Sequence, residues 1–148
     1  MNLKYSLLFI ITLSILSCKS SIDESTNIKQ LLEKESATWR SGDSKAHASC
    51  WHIQPYSKIL SSTTDGHTYD VPPNMMTEIS ENKIAPGGSS ANTNYKISIN
   101  KKTAWVSHDE ISTSKDGKKT YSHEIRLLEK IDHEWKLVGQ SIHAYKTE

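Results

Sequence analysis

The sequence predicts an α+β domain in which helices cover one face of a curved antiparallel sheet. Stretches with helical spacing of apolar residues come first, and four stretches typical of strands follow after residue 91. Residue pairs that favour tight turns separate these four stretches, so consecutive strands are expected to pair as an antiparallel meander. Helices followed by a run of strands are typical of the α+β class.

The N-terminal residues have the features of an export signal. Lys4 precedes an apolar run from Leu7 to Leu16, which has the length of a signal-peptide core and is too short for a transmembrane helix of about 20 residues. Segment 15–18 resembles a lipobox, with an aliphatic residue first, a small residue third and Cys18 last. The resemblance implies cleavage before Cys18, acylation of its thiol and a lipid anchor in a cell-envelope membrane, on the periplasmic side or at the cell surface. The alternative is an ordinary secretory signal with a chance cysteine.

The sequence therefore divides into a signal peptide over 1–17, a polar tether over 18–26 and one domain over 27–148. The leader contains one of the 18 basic residues and no acid, so the mature chain has 17 basic and 17 acidic residues. This balance argues against a nucleic acid as partner, because nucleic-acid binding depends on basic surface. The remaining cysteine, Cys50, has no second thiol for a disulfide and is expected to be a buried apolar residue, with a reactive thiol as the alternative.

The first helix is expected to begin near Ser25 or Asn27 and to end at Gly42. Its buried face consists of residues at helical spacing, namely Ile28, Leu31, Leu32, Glu35 and Trp39. Glu35 is the one charged member of this face. A buried carboxylate is costly unless it is paired or neutralised, so Glu35 is expected to have a partner inside the fold.

The other elements follow from caps, turn residues and alternation. They are a second helix from Asp43 to about Trp51, a short strand over Tyr56–Ser62, a turn at Asp65-Gly66, a third helix over Met75–Lys83 after Pro72-Pro73, and strands near 92–99, 102–113, 119–131 and 134–146. The hairpin turns are expected at Asn100-Lys101, Asp116-Gly117 and Asp132-His133.

This order of elements, together with one motif at each end, resembles the nuclear transport factor 2-like superfamily, which includes SnoaL-like domains. The motifs are Trp39-Arg40-Ser41-Gly42-Asp43 at the end of the first helix and residues 130–138 across the last hairpin, Lys130-Ile131-Asp132-His133-Glu134-Trp135-Lys136-Leu137-Val138. The resemblance covers about residues 27–146. It implies a cone-shaped curved antiparallel sheet with three N-terminal helices packed on its concave face. The superfamily mixes enzymes and non-enzymes, so the fold does not give the function.

Tight two-residue turns would place one set of side chains on each sheet face. The first set is Ala104, Val106, His108, Glu110, His123, Ile125, Leu127, Val138, Gln140 and Ile142. The second set is Trp105, Asp109, Ile111, Glu124, Arg126, Leu128, Trp135, Leu137, His143 and Tyr145. In ketosteroid isomerases, which the resemblance includes, positions matching Val138, Gln140 and Ile142 line the ligand pocket. A one-residue bulge in either hairpin would move part of each set to the opposite face.

The first set therefore predicts an apolar pocket with a few convergent polar groups, which is typical of small-ligand sites. The candidate pocket residues are Glu35, Trp39, His108, Glu110, His123 and Gln140. Within this register Glu110 faces His123, and such a pair could transfer protons near neutral pH. The alternative is a satisfied polar pair at the pocket mouth. The remaining histidines, His47, His52, His67 and His133, are expected to be solvated or locally bonded.

The sequence gives less support to a specific catalytic mechanism or to a metal site. Counting from Gly42, the catalytic positions of ketosteroid isomerases fall on Glu35, near Ile59 or Leu60, and on Ile125, none of which has the required residue type. His108, Glu110 and His123 could form a two-histidine, one-carboxylate metal site, but no HExxH or CxxC spacing supports it, and no metal or cofactor is expected.

The second face carries large apolar groups, which are too many for a solvated surface: Trp105, Ile111, Leu128, Trp135, Leu137 and Tyr145. The resemblance implies a homodimer through this face, with ion pairs between Arg126 and Asp109 or Glu124. Alternatively, the register differs and the tryptophans belong to the core.

The sequence thus predicts a membrane-anchored domain that binds an unknown small apolar or amphipathic ligand. The alternatives are a small cofactor-independent isomerase or cyclase that uses His and Glu, and a protein-interaction module of the envelope. A cavity filled by Trp39 and Trp51 would favour the last of these.

Overall fold

The computed structural model describes residues 23–78 and 87–148, and in these ranges it contains three helices and six strands. The helices are α1 (Glu24–Ser41), α2 (Ser44–Ala48) and α3 (Met75–Glu78). The strands are β1 (Ile59–Ser62), β2 (Thr68–Val71), β3 (Ser89–Asn100), β4 (Thr103–Thr113), β5 (Lys119–Ile131) and β6 (Glu134–Thr147). The predicted signal peptide, Cys18, and the last five residues of the predicted third helix, 79–83, lie outside the described residues.

The strands form one mixed sheet in the order β2-β1-β6-β5-β4-β3. Strands β3 to β6 make the expected antiparallel meander, whereas β1 lies parallel to β6 and forms a hairpin with β2. The helices cover one face of this sheet, here called the inner face; the opposite face is the outer face. The predicted α+β class and architecture are confirmed. Strand β2 was missed because its side chains are mostly exposed and show no alternation.

Local signals at the helix ends behave as predicted. The Asp23 carboxylate accepts a hydrogen bond from the Ser25 amide and starts α1 three residues before the predicted domain boundary, so residues 24–26 of the predicted tether are helical. Gly42 ends α1 with φ = 76°, a left-handed conformation that glycine adopts without steric cost. The Asp43 carboxylate then caps α2 by accepting from the Ala46 amide at 2.9 Å.

The β4–β5 register differs by one residue from the prediction. Thr113 pairs with Lys119, so the connection has five residues, 114–118, instead of a two-residue turn at Asp116-Gly117. Because the loop length changes from even to odd, every β5 side chain changes face relative to β4. Glu110 consequently faces Ser122, and the predicted Glu110–His123 pair is wrong.

The β5–β6 hairpin begins as predicted and then shifts. Asp132 and His133 both have positive φ, as a tight two-residue turn requires. The pairing is irregular between Leu127 and Leu128, and β6 accommodates one extra residue there. Residues of β6 before the bulge follow β5 and change face relative to the prediction, whereas the bulge keeps Gln140 and Ile142 on the predicted inner face. Because of the shifted β4–β5 register, the side chains that turn inward are Glu124, Arg126, Leu128, Trp135 and Leu137, whereas His123, Ile125 and Leu127 point outward.

The hydrophobic core lies between the helices and the inner face of the sheet. Its buried members are Ile28, Leu32, Cys50, Trp51, Ile59, Met76, Ala104, Val106, Leu128, Trp135 and Leu137. Cys50 is buried, as predicted. Trp135, predicted for the opposite face, is a core residue whose indole N–H donates to Glu24 at 2.6 Å. Within the described ranges, no helix has the length and apolar character needed to cross a membrane.

Candidate functional site

A cluster of buried polar side chains lies between α1, α2 and the inner face of β4 and β5. Its members are Glu35, Ser36, His47, His108, Glu110, Ser122, Glu124 and Arg126. The three carboxylates and one guanidinium in this set are each at most 7% exposed. Buried charges of this kind persist only when they are paired and hydrogen-bonded, so the contacts within the cluster determine what it can do.

Arg126 is the centre of the cluster. Its guanidinium donates hydrogen bonds to Glu124 and to the side-chain oxygen of Gln140, and it lies 3.5 Å from a Glu35 oxygen. Burial by itself lowers the pKa of Arg126, but Glu124, Glu35 and Glu110 outweigh that effect and the net pKa is raised. Arg126 is therefore a permanent positive charge inside the fold, and it joins β5 and β6 to the first helix.

His47 connects α2 to Glu35. Its Nδ1 lies 3.1 Å from the backbone oxygen of Met76, and its Nε2 lies 3.0 Å from Glu35 Oε1. A neutral imidazole has only one N–H, whereas both of these partners are acceptors when Glu35 is ionised. Both hydrogen bonds of His47 can therefore form together only when the His47–Glu35 pair holds a second proton on one of its two members. Burial raises the pKa of Glu35, but Arg126 and the hydrogen bond to His47 together lower it by more than burial raises it. The net shift of the pKa is therefore downward.

Glu110 behaves differently from Glu35. The Ser36 hydroxyl donates to its Oε2 at 2.8 Å, and a terminal nitrogen of Arg40 lies 3.7 Å from its Oε1, which is beyond hydrogen-bond distance. Burial raises the pKa of Glu110, and the nearby Glu124 carboxylate raises it further, with Arg126 acting in the opposite direction. Glu110 thus takes up a proton more readily than Glu35.

His108 lies behind these groups. Its ring stacks on Tyr95 with centroids 5.3 Å apart, and its Nε2 lies 3.6 Å from a Glu124 oxygen. Among the described residues, neither of its ring nitrogens has a hydrogen-bond partner. Burial, followed by the positive charge of Arg126, lowers the pKa of His108. A neutral His108 is therefore an internal packing residue.

A cavity of about 160 Å³ opens beside the cluster. An engineered protein cavity of about 150 Å³ is large enough to hold benzene, so this space suits a ligand built on one six-membered ring. Partly exposed side chains, including Trp39, Arg40 and Gln140, form its outer part. The complete lining is Glu35, Ser36, Trp39, Arg40, His47, Met76, Glu110, Glu124, Arg126, Gln140 and Ile142.

Four of the six candidate pocket residues line this cavity: Glu35, Trp39, Glu110 and Gln140. The other two do not. His108 is on the inner face but behind the lining, and His123 is on the outer face, where its Nδ1 lies 2.7 Å from Asp109. The metal site considered for His108, Glu110 and His123 is not formed, since His123 lies on the wrong face. No group of three metal-ligating side chains is placed to hold an ion anywhere in residues 23–78 and 87–148.

The cavity wall is more polar than the predicted apolar pocket. Sequence reasoning missed Ser36, Arg40, His47, Glu124 and Arg126, because their approach depends on long-range packing. His47 was expected to be solvated or locally bonded, and it is instead fully buried. Glu124 and Arg126 alternate with Ile125 and Leu127 along β5, so the sequence shows that the two pairs lie on opposite faces of the sheet. Which pair faces the helices cannot be deduced until the length of the preceding loop is known.

No family model matches this chain, and no curated protein matches it either. Solved structures do. An NTF2-like protein from Cytophaga hutchinsonii is 15% identical with a TM-score of 0.64, and the match covers 83% of this chain and 99% of that chain. An NTF2-like protein of unknown function from Methylobacillus flagellatus is 21% identical with a TM-score of 0.60, over 86% of this chain and 97% of that one. The chain has the nuclear transport factor 2-like fold.

Proteins with the nuclear transport factor 2-like fold differ in activity. A scytalone dehydratase-like protein from Novosphingobium aromaticivorans matches this chain with 13% identity and a TM-score of 0.63, over 84% of this chain and 86% of that one. At such identities the likeness concerns the fold alone. It confirms the architecture implied by the resemblance at residues 39–43 and 130–138, and it leaves the function to the chemistry of the cavity.

Proposed function

We propose that this chain is an exported, lipid-anchored domain of the cell envelope that binds a small molecule in the cavity between α1 and the sheet. The observation that carries the proposal is the cavity itself, which has room for one ring and combines a charged wall with apolar surface. Pockets of this kind fix a ligand by apolar contact and orient it with a few polar groups. The ligand is therefore expected to be amphipathic.

The apolar part of the lining comes from Trp39, Met76 and Ile142, one from each of α1, α3 and β6. Trp39 borders the cavity and does not fill it, and Trp51 packs in the core. A cavity filled by these two tryptophans would have favoured an interaction module, so small-molecule binding is the better-supported function.

Anchoring is proposed from the lipobox-like segment that ends at Cys18. Since α1 begins at Glu24, residues 19–23 would link the acylated cysteine to the domain. Five residues span at most about 17–18 Å when extended, so the domain would be held close to the membrane surface. Two or more acyl chains provide stable attachment without a transmembrane helix.

Native mass spectrometry of the full chain, purified in detergent from a bacterial host that acylates exported lipoproteins, tests binding. The expected spectrum shows a small-molecule adduct on the wild type that is lost in Ile142→Trp, because the larger side chain fills the cavity. Ile99→Trp is the matched control, since Ile99 is a strand residue that is 37% exposed and does not line the cavity. An adduct that survives in Ile142→Trp, or no adduct from lysate or from a library of ring-sized compounds, would contradict the proposal.

An acid–base enzyme is the second candidate, and one observation favours it. The His47–Glu35 pair holds a proton at the wall of the cavity that Glu110 also lines, so proton donors and acceptors converge on one space. Deuterium exchange next to the carbonyl of a cyclic ketone, followed by NMR in D₂O, tests this candidate. Exchange above the buffer rate that disappears in Glu110→Gln would support catalysis, and exchange at the buffer rate with the wild type would contradict it.

We also propose a homodimer through the outer face. Four large apolar side chains there are 40–48% exposed: Trp105, Ile125, Leu127 and Tyr145. A contiguous apolar patch of this kind is unusual on a monomer. The patch differs from the predicted one, because Leu128, Trp135 and Leu137 belong to the core.

A further inference from the structure

The net charge of the cavity wall depends on two residues, Arg40 and Glu110, because the other charged side chains of the wall neutralise one another in pairs. Arg126 and Glu124 form an ion pair. When both hydrogen bonds of His47 are made, the His47–Glu35 pair holds two protons and is neutral overall, whichever of the two holds the second one. What remains is Arg40, which is always positive, and Glu110, which is negative or neutral. The wall is therefore neutral when Glu110 is ionised and carries one positive charge when Glu110 is protonated.

Arg40 has hydrogen-bonding capacity that residues 23–78 and 87–148 do not use. It lies in the last turn of α1, lines the cavity, and its side chain is 20% exposed. Within the described part of the chain, its Nε is buried without a hydrogen-bond partner. The nearest carboxylate oxygen among the described residues, on Glu110, is 3.7 Å away. A guanidinium with unused donors at a cavity is suited to a planar anion, which it can bind through two parallel hydrogen bonds.

Resting on the proposed small-molecule function, we propose that the cavity binds a small monocarboxylate with an apolar body about the size of one ring, and that Glu110 takes up one proton when this ligand binds. The ligand carboxylate accepts hydrogen bonds from Arg40. Its apolar body packs against Trp39, Met76 and Ile142, which supply the uncharged part of the lining.

The position of the incoming proton follows from the contacts of Glu110. Ser36 donates to Oε2, so Oε1, on the side of Arg40, is the oxygen that can be protonated and can donate. The proton comes from solvent, and the Oε1–H then bonds to an oxygen of the ligand carboxylate. Without that proton, two carboxylates would face each other in a partly buried site, which raises the pKa of the pair. Burial and Glu124 already raise the pKa of Glu110 in the free protein.

Other ligand charges fit less well. An ammonium group would meet the fixed positive charge of Arg40. A neutral alcohol would leave most of the Arg40 donors unused and would cause no proton uptake. The three classes can be compared with benzoate, benzylamine and benzyl alcohol, which share one ring and differ in the polar group.

Isothermal titration calorimetry of the full acylated chain in detergent micelles tests the inference. Benzoate is titrated at pH 6 to 8 in two buffers with different ionisation enthalpies, so that the proton count is measured directly. The expected result is that benzoate binds more tightly than the other two compounds and takes up as much as one proton. Its affinity should fall with rising pH, by up to about tenfold per pH unit where Glu110 is ionised in the free protein.

Two substitutions separate the parts of the inference. Glu110→Gln should abolish proton uptake and remove the pH dependence while benzoate still binds. Arg40→Met should weaken benzoate binding by about tenfold or more, and Arg40→Lys should weaken it less. Lys101→Met, a change in an exposed hairpin turn, is the control for loss of charge.

Equal binding of benzyl alcohol or benzylamine would overturn the carboxylate assignment, and proton uptake that persists in Glu110→Gln would overturn the role of Glu110. Failure of benzoate to bind would overturn the whole inference. None of these results decides the proposed function, which fails only if the cavity-filling Ile142→Trp variant leaves ligand occupancy unchanged or if the wild type holds no small molecule.

Discussion

Replacing Arg126 by methionine removes the positive charge at the centre of the buried cluster while keeping a side chain of similar length. Glu124 and Gln140 lose hydrogen bonds, and Glu35 loses an ion-pair partner at 3.5 Å. Breaking a buried ion pair on one side costs about 3–5 kcal/mol, because the remaining charge stays buried without compensation. Since domains of this size are stable by about 5–15 kcal/mol, the variant is expected to be close to unfolding at pH 7.

The loss should depend on pH in a defined direction. Arg126 lowers the pKa of Glu35 in the wild type, so the stability that Glu35 contributes is present at neutral pH and is lost as pH falls through its folded pKa. Without Arg126, the largest opposing cause is gone and burial raises the folded pKa of Glu35. The destabilisation of Arg126→Met relative to the wild type should therefore shrink between pH 7 and pH 5.

Urea unfolding followed by tryptophan fluorescence at pH 7 and pH 5 measures both effects. The double variant Arg126→Met/Glu124→Gln should recover part of the lost stability, because it removes one uncompensated charge. Lys146→Met breaks an exposed ion pair with Glu148 and serves as the control, with little expected change. A loss below about 1 kcal/mol at pH 7, or a loss that grows toward pH 5, would refute this account of the cluster.

Three further predictions concern the anchor, the assembly and Glu110. Cys18→Ala should release the protein from the membrane fraction; membrane retention of the variant, with no acyl mass on the wild type, would contradict lipidation. Trp105→Asp should convert a dimer to a monomer in sedimentation experiments, whereas Trp135→Asp should unfold the chain because Trp135 is 6% exposed; a monomeric wild type at high concentration would rule out the interface. The raised pKa of Glu110 means that its contribution to stability falls as pH rises through that pKa. Glu110→Gln should therefore lose less stability than the wild type in urea unfolding between pH 5 and pH 8, and identical pH profiles would show that Glu110 is not perturbed.

The sequence by itself determined the elements other than β2 and several of their ends. Helix caps, glycine at a left-handed position and turn pairs act within a few residues, so Asp43, Gly42 and the Asp132-His133 turn are recognisable before any tertiary contact is known. The order of the elements was sufficient for the fold class. Helical spacing also showed that Glu35 would be buried and would need a partner.

Only the tertiary structure decided which partner Glu35 has. The structure places His47 from α2 and Arg126 from β5 against it. Neither contact has a local signature, because each depends on how separate elements pack.

The same physical reason explains the composition of the cavity. Strand side chains alternate between faces, so the side that a residue occupies depends on the exact length of the preceding loop. The one-residue shift in the β4–β5 register moved His123 to the outer face and brought Glu124 and Arg126 inside, and the bulge beside Leu127 kept Gln140 and Ile142 at the cavity. The sequence specified a sheet with two different faces, and the tertiary structure determined which charges face the cavity.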